Sequence, residues 1–170
     1  MENVNYPCPT SLDIYNQYHQ NTYNKAIHAA CIPAIVLAIR LFLDNVYIMT
    51  ILNQPQYSFF NRIKWHLPVL LQNIYCYYYL SYGFQPGIIM ICYFFTIEVI
   101  AKFIIIPTGY KYKIANYLFF YGWCMQFIGH WIEGSRPALT DSISQAFVSA
   151  PLFSMQYFDN RAYLISLAFF

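Results

Sequence analysis

Apolar and polar positions fall in long blocks along this chain, not in the short alternations of a soluble fold. Four blocks stand out: Ala29 to Leu52, His66 to Tyr82, Gly87 to Ile106 and Ile114 to Ile132, which are 17 to 24 residues long. About 20 predominantly apolar residues carry a helix across a bilayer. The blocks are separated by polar connections: Asn53 to Trp65 with Pro55, Arg62 and Lys64, the stretch Gly83-Phe84-Gln85-Pro86-Gly87, which reads as a turn, and Pro107 to Lys113 with two lysines. The pattern predicts an all-α fold, a multispanning membrane helix bundle of about four spans. Arg40 falls near the centre of the first block, so a bend there or two shorter helices are alternatives to a simple crossing.

Outside the blocks the pattern changes. Leu12 to Tyr23 mixes aromatic and amide side chains and is too polar to span, so residues 12–28 are expected to form an interfacial helix or cap leading into the first span. After the last block, Thr140 or Asp141 is placed to cap a short amphipathic helix running to about Val148. Pro151 and the apolar piece Ala162 to Phe170, too short to cross, close the chain. Residues 1–170 are thus expected to form one integral-membrane domain, with spans over 29–133 and a short C-terminal part over 134–170.

Composition agrees with a lipid setting. Apolar residues make up 59% and charged residues 9% of the chain, against roughly 25% charged in an ordinary soluble domain. Its 18 Tyr and 15 Phe, including the cluster Tyr75-Cys76-Tyr77-Tyr78-Tyr79, suit the belts where hydrocarbon meets headgroups. The net charge is +2 and the basic residues are scattered, so no nucleic-acid partner is expected. Five cysteines without CxxC spacing read as small buried hydrophobes, not as a disulfide framework. Met1 to Ser11 has no apolar core of the kind a cleavable signal peptide needs. Two pairs of opposite charge at i,i+4, Arg40 with Asp44 and Glu98 with Lys102, read as internal ties, with a substrate or proton role as the alternative.

Candidate chemistry sits at the block edges. In Gln126-Phe127-Ile128-Gly129-His130-Trp131-Ile132-Glu133-Gly134-Ser135-Arg136-Pro137, an apolar run acquires a histidine, a carboxylate and a guanidinium. His130 and Glu133 are three apart and share a helical face, and the helix is expected to end near Gly134 or Ser135. His19 and His28 lie before the first span and are nine apart, half a turn out of phase on a continuous helix, so a shared ion requires a bend near Asn21 to Asn24. An even number of spans brings all three histidines to one membrane face. Three imidazoles and a carboxylate suit one borderline divalent ion such as iron or zinc. The fourth histidine, His66, begins a span on the opposite side, and four histidines are too few for a two-iron desaturase site. The same groups also read as hydrogen-bonded residues at a membrane interface.

The arrangement Tyr15-x3-His19-x4-Asn24-Lys25-x2-His28-x4-Pro33, followed by Gln126-Phe127-x-Gly129-His130-x2-Glu133-x2-Arg136-Pro137-Ala138-Leu139 and by Pro151-x-Phe153, resembles the Mpo1-like family over about residues 12 to 153. The resemblance implies a membrane protein, located in the endoplasmic reticulum in a eukaryote and in the inner membrane in a bacterium. It also implies an iron(II)-dependent (Fe2+) dioxygenase. Such an enzyme uses dioxygen to convert a long-chain 2-hydroxy fatty acid, presented from the lipid bilayer, to the acid one carbon shorter with release of CO2, as in long-chain-base breakdown. His19, His28 and His130 then hold the metal, and Glu133 is either a fourth ligand or a group that orients a histidine. Arg136 is suited to clamp a carboxylate, or else pairs with Glu133, while Tyr15 and Asn24 supply hydrogen bonds close by. A groove lined by residues such as Phe119, Phe120 and Phe127 is expected to take the alkyl tail. Cys31 stands where a glycine is usual in the first motif. The alternatives are a metal-dependent lipid hydrolase and a lipid-binding or scaffold protein with a structural metal.

Overall fold

Asn21 decides where the first helix begins. Its backbone is extended (φ −72°, ψ 129°) and its side-chain oxygen accepts hydrogen bonds from the N–H of Tyr23 and of Asn24, which satisfies donors that a helix N-terminus leaves unpaired. Helix α1 follows as Thr22–Phe42, with Pro33 inside it. In the computed structural model, which describes residues 19–46, 66–136, 147 and 149–155, the expected interfacial helix over 12–28 is therefore corrected at its C-terminal end. Residues 22–28 are already the first turns of the apolar helix, whereas His19 precedes it outside any regular element. The expected run to Leu52 is corrected too, because α1 stops at Phe42 and turns through Leu43, Asp44 and Asn45. Arg40 consequently lies in the last helical turn, where the carbonyl end of the helix favours a cation, and not in mid-span.

Helix α2, Leu67–Tyr82, begins after His66 with Pro68 in its first turn, a position where a missing N–H costs little. The connection to α3, Phe84–Val99, is Gly83 alone. The longer turn expected through Gly87 is absent because Pro86 falls in the first turn of α3, whose amides have no helical acceptor anyway. Gly87 faces α2 so closely that a Cβ there would overlap Leu80, and this holds α2 and α3 together as a tight hairpin. The element then widens into a π-helical turn over Ile100–Ile105 and closes with a 3-10 turn over Ile106–Thr108. Helix α4, Lys111–Glu133, ends on Gly134 in the left-handed conformation (φ 72°), which glycine adopts without steric penalty. Residues 149–155 are helical through Pro151, beyond the expected end of the C-terminal helix, whose expected cap at Thr140 or Asp141 lies outside the described residues.

Helices α1 and α4 run antiparallel and touch where glycines replace side chains. A Cβ on Gly122 would lie 2.6 Å from Ile35 Cγ1, and one on Gly129 would collide with the Asn24 side chain. Small residues at such points let helix backbones approach in lipid. The core between the four helices includes Ala38, Leu41, Tyr79, Met90, Ala101 and Ala115. The tyrosine cluster is split by this packing: Tyr79 is buried and Tyr77 points outward, so it is not a uniform belt. Among the described cysteines only Cys31 is buried. Cys92 and Cys124 are exposed on the outer faces of α3 and α4, contrary to expectation.

Among the described residues every regular element is helical, and two helical stretches are long and apolar enough to cross a bilayer, Thr22–Phe42 and Phe84–Thr108, with mean hydropathy 1.7 and 2.3. Large apolar side chains such as Phe95, Phe103 and Ile104 on the second of these face outward, as lipid contact requires.

The two expected ion pairs prove to be one network at the end of the bundle away from the histidines. Arg40 forks onto Glu98, Nε to Oε2 at 2.5 Å and Nη2 to Oε1 at 2.9 Å, and its Nη1 reaches Asp44 Oδ1 at 2.9 Å. Lys102 joins at Glu98 (2.9 Å) and Lys111 at Asp44 (2.6 Å). Three cations and two carboxylates thereby tie α1, α3 and the start of α4. His66 is at this same end, with its Nδ1 donating to the Asp44 carbonyl at 3.2 Å.

Candidate metal centre

Three imidazoles meet where the start of α1, the end of α4 and the C-terminal helix come together. His19 stands two residues before the Asn21 cap, His28 is in the second turn of α1, and His130 is in the last turn of α4. The bend required between the first two falls at Asn21. Their candidate ligand nitrogens lie within 4.8 Å of one another, and the rings are 0%, 2% and 5% exposed, so bulk water does not compete for them. The ring centroids are 4.4 Å apart for His19 and His28, and 5.0 Å from each of these to His130.

The donor set fits a metal ion. His19 Nε2 and His28 Nε2 face each other at 3.0 Å. Two nitrogen ligands at about 2.1 Å from one ion and at right angles to each other are separated by about 3.0 Å. His28 Nδ1 and His130 Nδ1 are buried with no hydrogen-bond partner. Such an unpaired polar atom costs free energy in a dry interior, a cost that a bound cation offsets at His130, whereas the His28 nitrogen turned toward His19 is Nε2.

Glu133 fastens the two ends of the chain. Its Oε1 accepts from the backbone N–H of Gln20 and, at 2.9 Å, from that of Asn21, while its Oε2 accepts from Asn24 Nδ2. The carboxylate therefore docks the His19 segment onto the end of α4. Asn24 is completely buried between this carboxylate and the bare backbone of Gly129.

The remaining expected residues are placed less centrally. Arg136 is exposed just beyond α4 and, among the described residues, makes no ion pair, with Glu133 or otherwise. Tyr15 lies outside the described residues. Phe120 and Phe127 are 65% and 54% exposed and Phe119 packs edge-on to Phe42. Phe153 closes the centre instead, with its ring 5.0 Å from His19 and 6.2 Å from His28. The recurrence of Pro151-x-Phe153 in the motif was its only sequence signal. Asn21 was equally unassigned, although an asparagine before an apolar helix is a cap signal.

The profile of a family described as 2-hydroxy-palmitic acid dioxygenase Mpo1-like matches residues 7–162. The chain belongs to the Mpo1-like family. Within it, the chain is 30% identical over 147 residues to the 2-hydroxy-palmitic acid dioxygenase MPO1 of Saccharomyces cerevisiae, a match covering 86% of this chain and 76% of the yeast protein. No solved structure matches the chain. The stretch shared with the Mpo1-like family includes all three clustered histidines, Glu133 and Phe153.

Proposed function

We propose that this protein is an iron(II)-dependent dioxygenase of fatty-acid α-oxidation that shortens long-chain 2-hydroxy fatty acids by one carbon. The observation that carries this reading is the buried meeting of His19, His28 and His130 from opposite ends of an Mpo1-like chain. An iron(II) ion held by the three imidazoles supplies the redox chemistry through which dioxygen reacts with an organic acid.

The stoichiometry closes without a second organic substrate. A 2-hydroxy acid and one dioxygen give the shortened acid, CO2 and water, as the bond between C1 and C2 breaks and the old C2 becomes the new carboxyl carbon. The hydroxy acid loses four electrons and dioxygen gains four. No 2-oxo acid is called for.

The residues of this chain divide the remaining work. Glu133 and Asn24 hold the His19 segment and α1 in register with His130. Phe153 excludes water from two of the imidazoles. Arg136, exposed just beyond α4, offers a fork that matches a carboxylate head, and Tyr15 is assigned a hydrogen bond to the substrate. In this reading α2 and α4 also cross the membrane, giving four spans with the centre at one face, and in a eukaryotic cell that membrane is the endoplasmic reticulum.

The test is anaerobic purification with iron(II), followed by oxygen uptake with 2-hydroxypalmitate and palmitate side by side. Uptake is expected with the hydroxy acid alone, and His130→Ala is expected to lose both iron and uptake while still inserting into membranes. An undiminished rate in purified His130→Ala, or substrate turnover without oxygen consumption, would refute the proposal.

A further inference from the structure

Gln126 is a buried amide whose donor has no visible task. It is 7% exposed, and its Nε2 is buried without a hydrogen-bond partner. It lies one turn before His130 on the face of α4 that also carries Gly122 and Gly129. The antiparallel register of α1 and α4 is fixed on both sides of it, because Gly129 meets Asn24 and Gly122 meets both Ile35 and the carbonyl of Cys31. Between those contacts, Gln126 comes level with His28. The two facing helices therefore place Gln126 Nε2 level with His28 and one turn along α4 from His130, and His28 Nδ1, His130 Nδ1 and Gln126 Nε2 are all buried without a partner. Two belong to the candidate metal ligands. The third can only donate.

We propose that Gln126 donates its amide N–H to a carboxylate oxygen of the acid bound at the three-histidine centre, which makes it a substrate-positioning residue. This rests on the 2-hydroxy-acid reading given above. A primary amide is chemically suited to the task. It stays neutral, so it does not compete with the imidazoles for the cation, yet it donates to an anionic oxygen in a dry site, where an unmade hydrogen bond is costly. The side chain is left unsatisfied until an acceptor arrives, so the acid gains from its presence while the free protein does not.

The full chain in detergent, loaded with cobalt(II) as a visible-absorption reporter, is titrated first with the metal and then with 2-hydroxypalmitate under nitrogen. Gln126→Met keeps the volume and removes the donor, and Gln126→Glu keeps the shape and replaces the donor with an acceptor of like charge to the acid. Both variants are expected to bind cobalt(II) as the unaltered protein does. Binding of 2-hydroxypalmitate should weaken about tenfold in the first and more in the second. Unchanged 2-hydroxypalmitate affinity in Gln126→Met overturns the inference and leaves the functional reading standing. Cobalt affinity falling in step with acid affinity in both variants also overturns it, since Gln126 would then support the imidazoles. If the unaltered cobalt protein shows no spectral response to 2-hydroxypalmitate, the functional reading falls and this inference with it.

Discussion

Replacing Glu133 with alanine removes three hydrogen bonds at once and tests whether metal affinity depends on a residue that is not among the clustered imidazoles. The carboxylate accepts from the backbone N–H of Gln20 and Asn21 and from Asn24 Nδ2. Hydrogen bonds to a charged group contribute about 1.5–3 kcal/mol each when fully sheltered. Glu133 is only partly buried, so water takes over some of the lost bonds, and docking of the His19 segment should weaken by about 2–4 kcal/mol in total. Loss of such a supporting partner typically lowers metal affinity 10–100-fold, which is the expected drop for cobalt(II) in competition with a chelating dye. Glu133→Gln keeps one oxygen for the two backbone donors and should fall between alanine and the unaltered protein. Equal cobalt affinity in all three proteins would refute the argument that Glu133 presents His19.

Two further outcomes follow from the packing. Gly129→Ala puts a methyl group where the Asn24 side chain lies; overpacking of this kind costs about 1–3 kcal/mol, and the thermal midpoint in detergent should drop together with metal affinity. Arg40→Met leaves Glu98 and Asp44 without the guanidinium that joins them; Lys102 and Lys111 still pair with them, so the loss of the hydrogen bonds to charged groups should cost about 1.5–3 kcal/mol. Its midpoint should fall while cobalt affinity holds, because Arg40 is about 18 Å along α1 from His28.

The meeting of the three histidines was legible in the sequence further than the helix boundaries were. Three histidines at the edges of apolar blocks, nine residues apart at one end and next to a carboxylate at the other, were sufficient to place a shared centre. The required bend appeared at Asn21, whose side chain caps α1. Boundaries were less legible because hydropathy does not register the features that stop a helix. Asp44 and Asn45 end α1 ten residues before the apolar run thins at about Leu52, while the stretch from Gly83 to Gly87 looked like a loop although only Gly83 is one. Partnerships between distant residues were hidden for a different reason. Local spacing pairs Arg40 with Asp44 and Glu98 with Lys102, and only the packing of α1 against α3 joins them. Phe153 was unreadable as part of the centre because nothing along the chain shows which aromatic ring a returning helix will bring to an imidazole.

The separation of the three imidazoles along the chain has a consequence for biogenesis. His19 and His28 leave the ribosome about a hundred residues ahead of His130, so a nascent polypeptide holds only two of the clustered donors until α4 has been made. Contacts between such distant residues form late, after the intervening loop has closed. Any metal held by the three imidazoles would therefore be taken up only after α4 has been made, and a chain cut short before α4 lacks one of the three donors.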